Sequence, residues 1–237
     1  MNSKGKLYLI PNFIAETNYD NVFPNKNKYI IKDIRFFIVE NVRTTRRFLR
    51  KIVPDFPIDD STFYILNKHS DNSILSEYLQ PAISGHNIGI ISESGMPAIA
   101  DPGKEIVKIA HQKNIEVVPL IGPSSIFLAL AASGLNGQNF TFWGYLPIKH
   151  HELKKQIKKI ENISKSLNQT QIFIETPYRN KNLYNTLLET CNENTLLCVA
   201  NEITGENAFI KTLSIKQWKN NVLPPIHKTN TVFLLLG

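Results

Sequence analysis

Ten short apolar runs set the strongest limit on how this chain folds. They occupy residues 7–10, 36–39, 63–66, 88–91 and 117–120, then 140–143, 171–174, 196–200, 209–213 and 232–236. Each is four or five residues long, the length of a β-strand and short for a helix. Several are apolar at every position, so they suit sheets covered on both faces. Amphipathic stretches separate the first five. Residues 42–52 place Val42, Thr45, Leu49 and Ile52 on one side and Arg43, Arg47, Arg50 and Lys51 on the other. Residues 71–84 and 103–113 are similar. This alternation predicts an α/β protein with parallel or mixed sheets.

A chain of 237 residues, 42% of them hydrophobic, can bury a large core as one domain or two. The second half has a different rhythm, with strands more closely spaced late in the chain. Between the halves, Gly122 to Leu135 is small and apolar (GPSSIFLALAASGL). It reads as a buried helix with Pro123 near its first turn and Gly134 near its end. A junction just before it divides the chain into residues 1–119 and 120–237.

The net charge of +7 is compatible with a polyanionic partner, and equally with a lysine-biased surface that aids solubility. Cys191 and Cys198 are separated by six residues and match no common zinc pattern. Cys198 sits in an apolar run and reads as core. The histidines lack H-x-x-x-H spacing, so no metal is expected. No run approaches the ~20 apolar residues of a membrane span. The first six residues lack the apolar stretch of a signal peptide, so the expected location is the cytoplasm.

The most informative segment runs from Ser92 to Gly103 (SESGMPAIADPG). It follows a buried strand and precedes a helix. Gly95 permits positive φ or close approach of a ligand. Pro97 and Pro102 stiffen the path. Ala98, Ile99 and Ala100 present little polar side chain. Open α/β sheets bind ligands at such carboxyl-terminal strand ends, although a plain strand-to-helix connection fits the same spacing. There is no G-x-x-x-x-G-K-[ST], which argues against a P-loop ATPase. There is no G-x-G-x-x-G, which argues against a Rossmann dehydrogenase and the common Rossmann-type methyltransferases.

Six further segments accompany that loop in order. They are Val39-Glu40-Asn41-Val42-Arg43-Thr44-Thr45-Arg46, Pro119 to Ser125, Ala132-Ser133-Gly134-Leu135, Phe142 to Pro147, Phe173-Ile174-Glu175-Thr176-Pro177-Tyr178-Arg179 and Ala200-Asn201-Glu202-Ile203-Thr204. Together they resemble the tetrapyrrole-methylase superfamily of S-adenosylmethionine-dependent methyltransferases. Within it they are most similar to the branch that methylates small-subunit ribosomal RNA. The resemblance implies two α/β domains with S-adenosylmethionine in the cleft between them, and a homodimer. Carried over by position, it implies cofactor contacts at Pro11, Gly95, Met96, Ala98, Ile99, Ala100, Ser124, Ser125, Thr176, Tyr178, Ala200 and Thr229. The chain departs from the family where P-I-G-N-L is usual and Pro11-Asn12-Phe13-Ile14-Ala15 stands. It also has Asn41 for an aspartate, Glu93-Ser94-Gly95 for Asp-Ala-Gly and Asn201 for an arginine.

Methyl transfer to a ribose 2′-hydroxyl releases a proton, so a base or water relay helps. Glu40 is the first candidate, its alternative being a helix cap. Asp101 is the second, with the same alternative. Arg43 and Arg179 are candidates for holding phosphate, or for pairing with Glu40 and Glu175. Glu202 reads as structural. His69 follows a strand and reads as either a polar loop end or a cleft residue. Two basic faces, one at residues 43–51 and one of lysines between 149 and 159, fit a phosphate footprint or a solvated helix. The expected partner is ribosomal RNA or the small ribosomal subunit. A tetrapyrrole or other small acceptor, and a non-catalytic RNA- or ribosome-binding protein, remain as alternatives.

Overall fold

The computed structural model describes residues 3–66 and 72–237. These form two compact units. The first comprises the chain up to Phe13 together with Thr17–Pro123; the second comprises Ile14–Glu16 and Ser124–Gly237.

The first unit contains β1 (Leu7–Ile10), α1 (Asn25–Lys32), β2 (Phe36–Val39), α2 (Val42–Ile52), β3 (Thr62–Ile65), α3 (Asn72–Tyr78), α4 (Gln80–Ile83), β4 (Ile88–Ile91), α5 (Gly103–Gln112) and β5 (Val117–Pro119). The strands pair in the order β3-β2-β4-β1-β5, and every pairing is parallel. The two-residue period sorts their side chains. Phe37, Val39 and Ile91 enter one core cluster with Ile31 of α1 and Phe48 and Leu49 of α2. Ile38, Ile88 and Ile90 enter another with Leu75 of α3 and Ile106 and Ile109 of α5. Both faces are therefore covered, which explains the uniformly apolar runs. Each such side chain contributes roughly 1.5–3 kcal/mol on burial.

The second unit contains α6 (Ser125–Ser133), β6 (Phe140–Tyr145), α7 (His150–Leu167), β7 (Thr170–Ile174), α8 (Asn180–Thr190), β8 (Leu196–Asn201), β9 (Phe209–Ser214), α9 (Ile215–Lys219) and β10 (Thr231–Leu236). The sheet order is β6-β7-β10-β8-β9. Only β6 and β7 run parallel; the other pairings are antiparallel. Phe173, Leu197, Val199, Phe233 and Leu235 pack with α7 and α8 on one face. Ile172, Cys198, Ala200, Val232 and Leu234 pack with α6 on the other. Cys198 is core, as its apolar run implies.

Two helical expectations change. The helix read across 122–135 is Ser125–Ser133, so Pro123 precedes it rather than entering its first turn. Gly134 ends it at φ 70°, the left-handed position that favours glycine. The stretch 71–84 is two helices interrupted at Leu79, and residue 71 lies outside the described residues, as does His69. The helices α1, α8 and α9 carry weaker periodicity and are legible only in the fold.

Candidate functional site

In the first unit, helix α1 follows β1 and packs on one face of the sheet, whereas α5 follows β4 and packs on the other. β1 and β4 are neighbours. Their carboxyl ends therefore diverge, and such a switch point is where open α/β sheets bind ligands. Pro11 and Asn12 leave β1 there, and Ser92 to Gly103 leaves β4.

Asn12 joins the two segments. Its backbone N–H donates to the Gly95 carbonyl at 2.9 Å. Its buried side-chain amide donates to the Ser92 carbonyl at 2.9 Å and to that of Glu93 at 3.3 Å, and its Oδ1 accepts from the Phe13 N–H at 2.8 Å. The Ser92 hydroxyl donates to the Ser94 and Gly95 carbonyls. Pro11 is buried, and a Cβ on Gly122 would stand 2.2 Å from its Cγ. Only glycine lets the chain after β5 pass so close.

The loop backbone is left-handed at Gly95 (φ 68°), Ala98 (φ 67°) and Ala100 (φ 62°). For alanine this costs roughly 1–2 kcal/mol per residue. Asp101 stabilises the turn. Its Oδ1 accepts from the Gly103 N–H at 2.7 Å and the Ala98 N–H at 2.9 Å, and its Oδ2 lies 3.0 Å from the latter. Burial pushes the Asp101 carboxyl above its ordinary range, and the two amides pull it part of the way back. The Asp101 carboxylate thus braces the loop and caps the entry to α5. Around it, Ile99 and Ala100 are exposed, Met96 and Ala98 are half-buried, and Gly95 is buried.

Glu40 is half-buried at the end of β2. It is not the helix cap: Oδ1 of the next residue, Asn41, accepts from the N–H groups of Arg43 (2.9 Å) and Thr44 (3.4 Å). Asparagine performs the capping that an aspartate would, which accounts for that departure. The Thr44 hydroxyl donates to Glu93 Oε1 at 2.7 Å and ties the first turn of α2 to the loop. Arg43 is exposed.

In the second unit, the carboxyl ends of β7 and β8 flank the start of β10, where Val232 pairs with Ile174 and Thr231 with Asn201. Glu175 Oε1 accepts from the Thr176 N–H at 2.6 Å and from Arg179 Nη2 at 2.5 Å, while Arg179 Nε donates to Thr176 Oγ1 at 3.2 Å. Arg179 therefore braces its own loop through an ion pair. Tyr178 is exposed with Lys228 Nζ 5.8 Å from its ring centre. Asn201 donates to Thr229 Oγ1 (2.5 Å) and Thr231 Oγ1 (2.9 Å). The Asn180 amide donates to the carbonyls of Ile226 (3.2 Å) and Thr229 (2.7 Å) and to Thr231 Oγ1 (3.1 Å). The Glu202 carboxylate accepts from the Asn230 N–H, a structural role. Ala200 is fully buried in the sheet core. Ser124 caps α6 by position and Ser125 opens it; both are half-buried.

The sequence did not single out Asn12, Asn180 or the left-handed turns at Ala98 and Ala100. Nothing local marks them, since the partners of Asn12 lie 80 residues away. Among the described residues, no cluster of three or more histidine, cysteine or acidic side chains could hold a metal.

This fold has known counterparts. The family model for Tetrapyrrole (Corrin/Porphyrin) Methylases matches residues 28–217. The chain belongs to that family. Among tetrapyrrole methylases of known structure, it resembles the methyltransferase CobJ with a TM-score of 0.63 at 14% identity, covering 98% of this chain and 94% of that one. It also resembles uroporphyrin-III-C-methyltransferase from Thermus thermophilus, at a TM-score of 0.55 and 13% identity, with the same coverage. At these identities the likeness concerns fold alone. In sequence, it is 33% identical over 150 residues to ribosomal RNA small subunit methyltransferase I of Vibrio cholerae, covering 63% of this chain and 49% of that one. It is 32% identical over 186 residues to the protein of that name from Streptococcus pyogenes, covering 78% and 61%. The Bacillus subtilis protein of that name is 32% identical over 219 residues, covering 91% and 70%. The chain thus spans about half to three fifths of the length of the first two relatives.

Proposed function

We propose that the protein is an S-adenosylmethionine-dependent methyltransferase that acts on small-subunit ribosomal RNA at a ribose 2′-oxygen. The observation that carries this reading is the loop at the β1/β4 switch point, braced by Asn12 and Asp101 and left-handed at Gly95, Ala98 and Ala100. Its apex offers backbone and small apolar side chains. An adenosyl group held by shape and a few hydrogen bonds fits such a surface. Gly95, Met96, Ala98, Ile99 and Ala100, with Pro11 beneath, are the proposed contacts in the first unit. Ser124, Ser125, Thr176, Tyr178 and Thr229 are those proposed in the second. Ala200 stays in the set, as buried Pro11 and Gly95 do.

When bound, S-adenosylmethionine supplies an electrophilic methyl group on sulfur. The chain's part is to hold the acceptor oxygen in line with it at roughly 3 Å and to take up the hydroxyl proton. Glu40 is the proposed base, at the carboxyl end of β2 next to the helix that contacts the loop. Asp101 and Arg179 act as braces, since each carries its bonds within its own loop. The names of the sequence relatives support RNA as the acceptor. A cytoplasmic homodimer is part of the same proposal.

Calorimetric titration with S-adenosylmethionine tests the cofactor, and absence of binding at millimolar ligand overturns the enzyme reading. A map of ribose methylation in ribosomal RNA, with and without the protein, tests the acceptor. An unchanged map overturns it.

A further inference from the structure

The two basic helices differ in how their charge is balanced. On α7 three lysines are paired, Lys154 Nζ 2.5 Å from Glu189 Oε1, Lys158 Nζ 3.2 Å from Glu161 Oε2 and Lys149, its capping residue, 3.5 Å from Glu152, while Lys155, Lys159 and Lys165 form no ion pair among the described residues. On α2 there is no acidic residue at all. Arg43, Arg47 and Arg50 are exposed, and no ion pair is formed by any of them among the described residues. Their i, i+4, i+7 spacing places them in one stripe, about 6 and 4.5 Å apart along the axis. Beside the stripe, Lys51 Nζ stands 4.2 Å from the centre of the Phe13 ring and the Arg46 guanidinium 5.4 Å from that of Phe63.

Like charges one helical turn apart repel, so an uncompensated stripe is unfavourable without an anion to neutralise it. Guanidinium forks match phosphate oxygens in pairs. No large apolar side chain of α2 is exposed, so the helix has nothing to insert into a lipid surface. Its first turn is tied to the candidate cofactor loop through Thr44 and Glu93.

From the unpaired stripe and that tether, we propose that Arg43, Arg47 and Arg50 dock the phosphodiester backbone of the RNA acceptor. The lysine face of α7 plays the lesser part. This inference rests on the methyltransferase reading for the identity of the acceptor, but the docking itself needs no cofactor.

The test is fluorescence anisotropy of the full chain with a labelled RNA hairpin of mixed sequence, titrated across a salt series. R43Q/R47Q/R50Q should weaken binding at least roughly tenfold near physiological salt and lower the slope of log affinity against log salt by about two. K155Q/K159Q/K165Q removes the same formal charge from α7 and should lower that slope by less than about one. R43K/R47K/R50K should keep most of the slope, and circular dichroism of all three variants should match the native protein. Equal losses in the two glutamine variants would mean net charge alone and overturn the proposal, as would unchanged binding in the α2 variant. Stripe-dependent binding to phosphatidylserine vesicles with no RNA binding would also overturn it, in favour of a lipid surface. A parallel calorimetric titration with S-adenosylmethionine keeps the two readings apart. Cofactor binding without stripe-dependent RNA binding overturns this inference alone, and the converse overturns the enzyme reading alone.

Discussion

The side-chain amide of Asn12 donates to the Ser92 carbonyl at 2.9 Å, in a buried position. This bond fixes the end of β1 against the loop that leaves β4. In Asn12→Ala the Ser92 carbonyl loses its donor, at a cost of about 1–3 kcal/mol. Both the melting temperature and the affinity for S-adenosylmethionine should fall. Calorimetric titration beside thermal unfolding checks this, and native affinity in the variant would mean that the loop holds its shape without the brace.

Gly122 passes Pro11 too closely for any side chain. A Cβ there would meet Pro11 Cγ at 2.2 Å, Pro11 Cβ at 2.6 Å and Phe23 Cε1 at 3.0 Å. Gly122→Ala should destabilise by on the order of 1–3 kcal/mol. Gly137→Ala meets nothing within 4 Å and should stay within about 0.5 kcal/mol of native. Denaturant unfolding of the pair separates close approach from a general cost of replacing glycine.

The left-handed turn at Ala98 predicts an order of variants. Ala98→Gly removes the crowded Cβ but gives the unfolded chain more freedom, so the two effects of about 1 kcal/mol nearly cancel. Ala98→Val adds a branched Cβ at a φ of 67° and should lose both stability and cofactor affinity. Ala98→Trp should abolish cofactor binding. Native affinity in the tryptophan variant would place the pocket elsewhere.

Asp101 gives a pH dependence with a definite sign. Its carboxyl sits above its ordinary value of 3.8 because burial disfavours the charge. The folded protein therefore binds that proton more tightly than the unfolded chain. Its contribution to stability falls as pH rises from below 3.8 through the raised folded value. Asp101→Asn lacks this component, so the native protein should lose stability relative to the variant across that window. Urea unfolding at a series of pH values measures the difference. A flat difference, or one growing in favour of the native protein as pH rises, contradicts the assignment.

Asn180 is fully buried and donates from one nitrogen to three oxygens, while its Oδ1 has no partner among the described residues. Asn180→Ala should cost about 1–3 kcal/mol. Asn180→Asp faces a carboxylate with the carbonyls of Ile226 and Thr229 and should cost more, on the order of 3–5 kcal/mol at neutral pH. The gap between the variants should narrow as pH falls, because a protonated aspartic acid can again donate. A gap that widens on acidification would reverse the donor assignment.

Much of this architecture is legible without coordinates. All ten strands coincide with the apolar runs to within two residues at their ends; for β2, β4, β8 and β10 the reason is burial on both faces, whereas β3 and β9 are partly exposed edge strands. The family is legible through Ser92–Gly103 and its ordered companions. The braces are less so. The loop reads as small, apolar and stiffened by two prolines, but its sequence does not show that Asp101 and Asn12 brace it.

The sequence by itself determined the strands, the α/β class, the family and the positions where a cofactor is expected. These depend on period and on motifs contained within about ten residues. Tertiary structure alone decided which side chains brace the site and which charges remain unpaired. Asn12 meets Ser92 from 80 positions away, Asn180 meets Thr229 from 49, and Lys154 meets Glu189 from 35. The partner of a polar group is set by which distant backbone or side chain the fold delivers. Arg47 and Lys154 therefore look alike in the sequence, and only the fold pairs one of them.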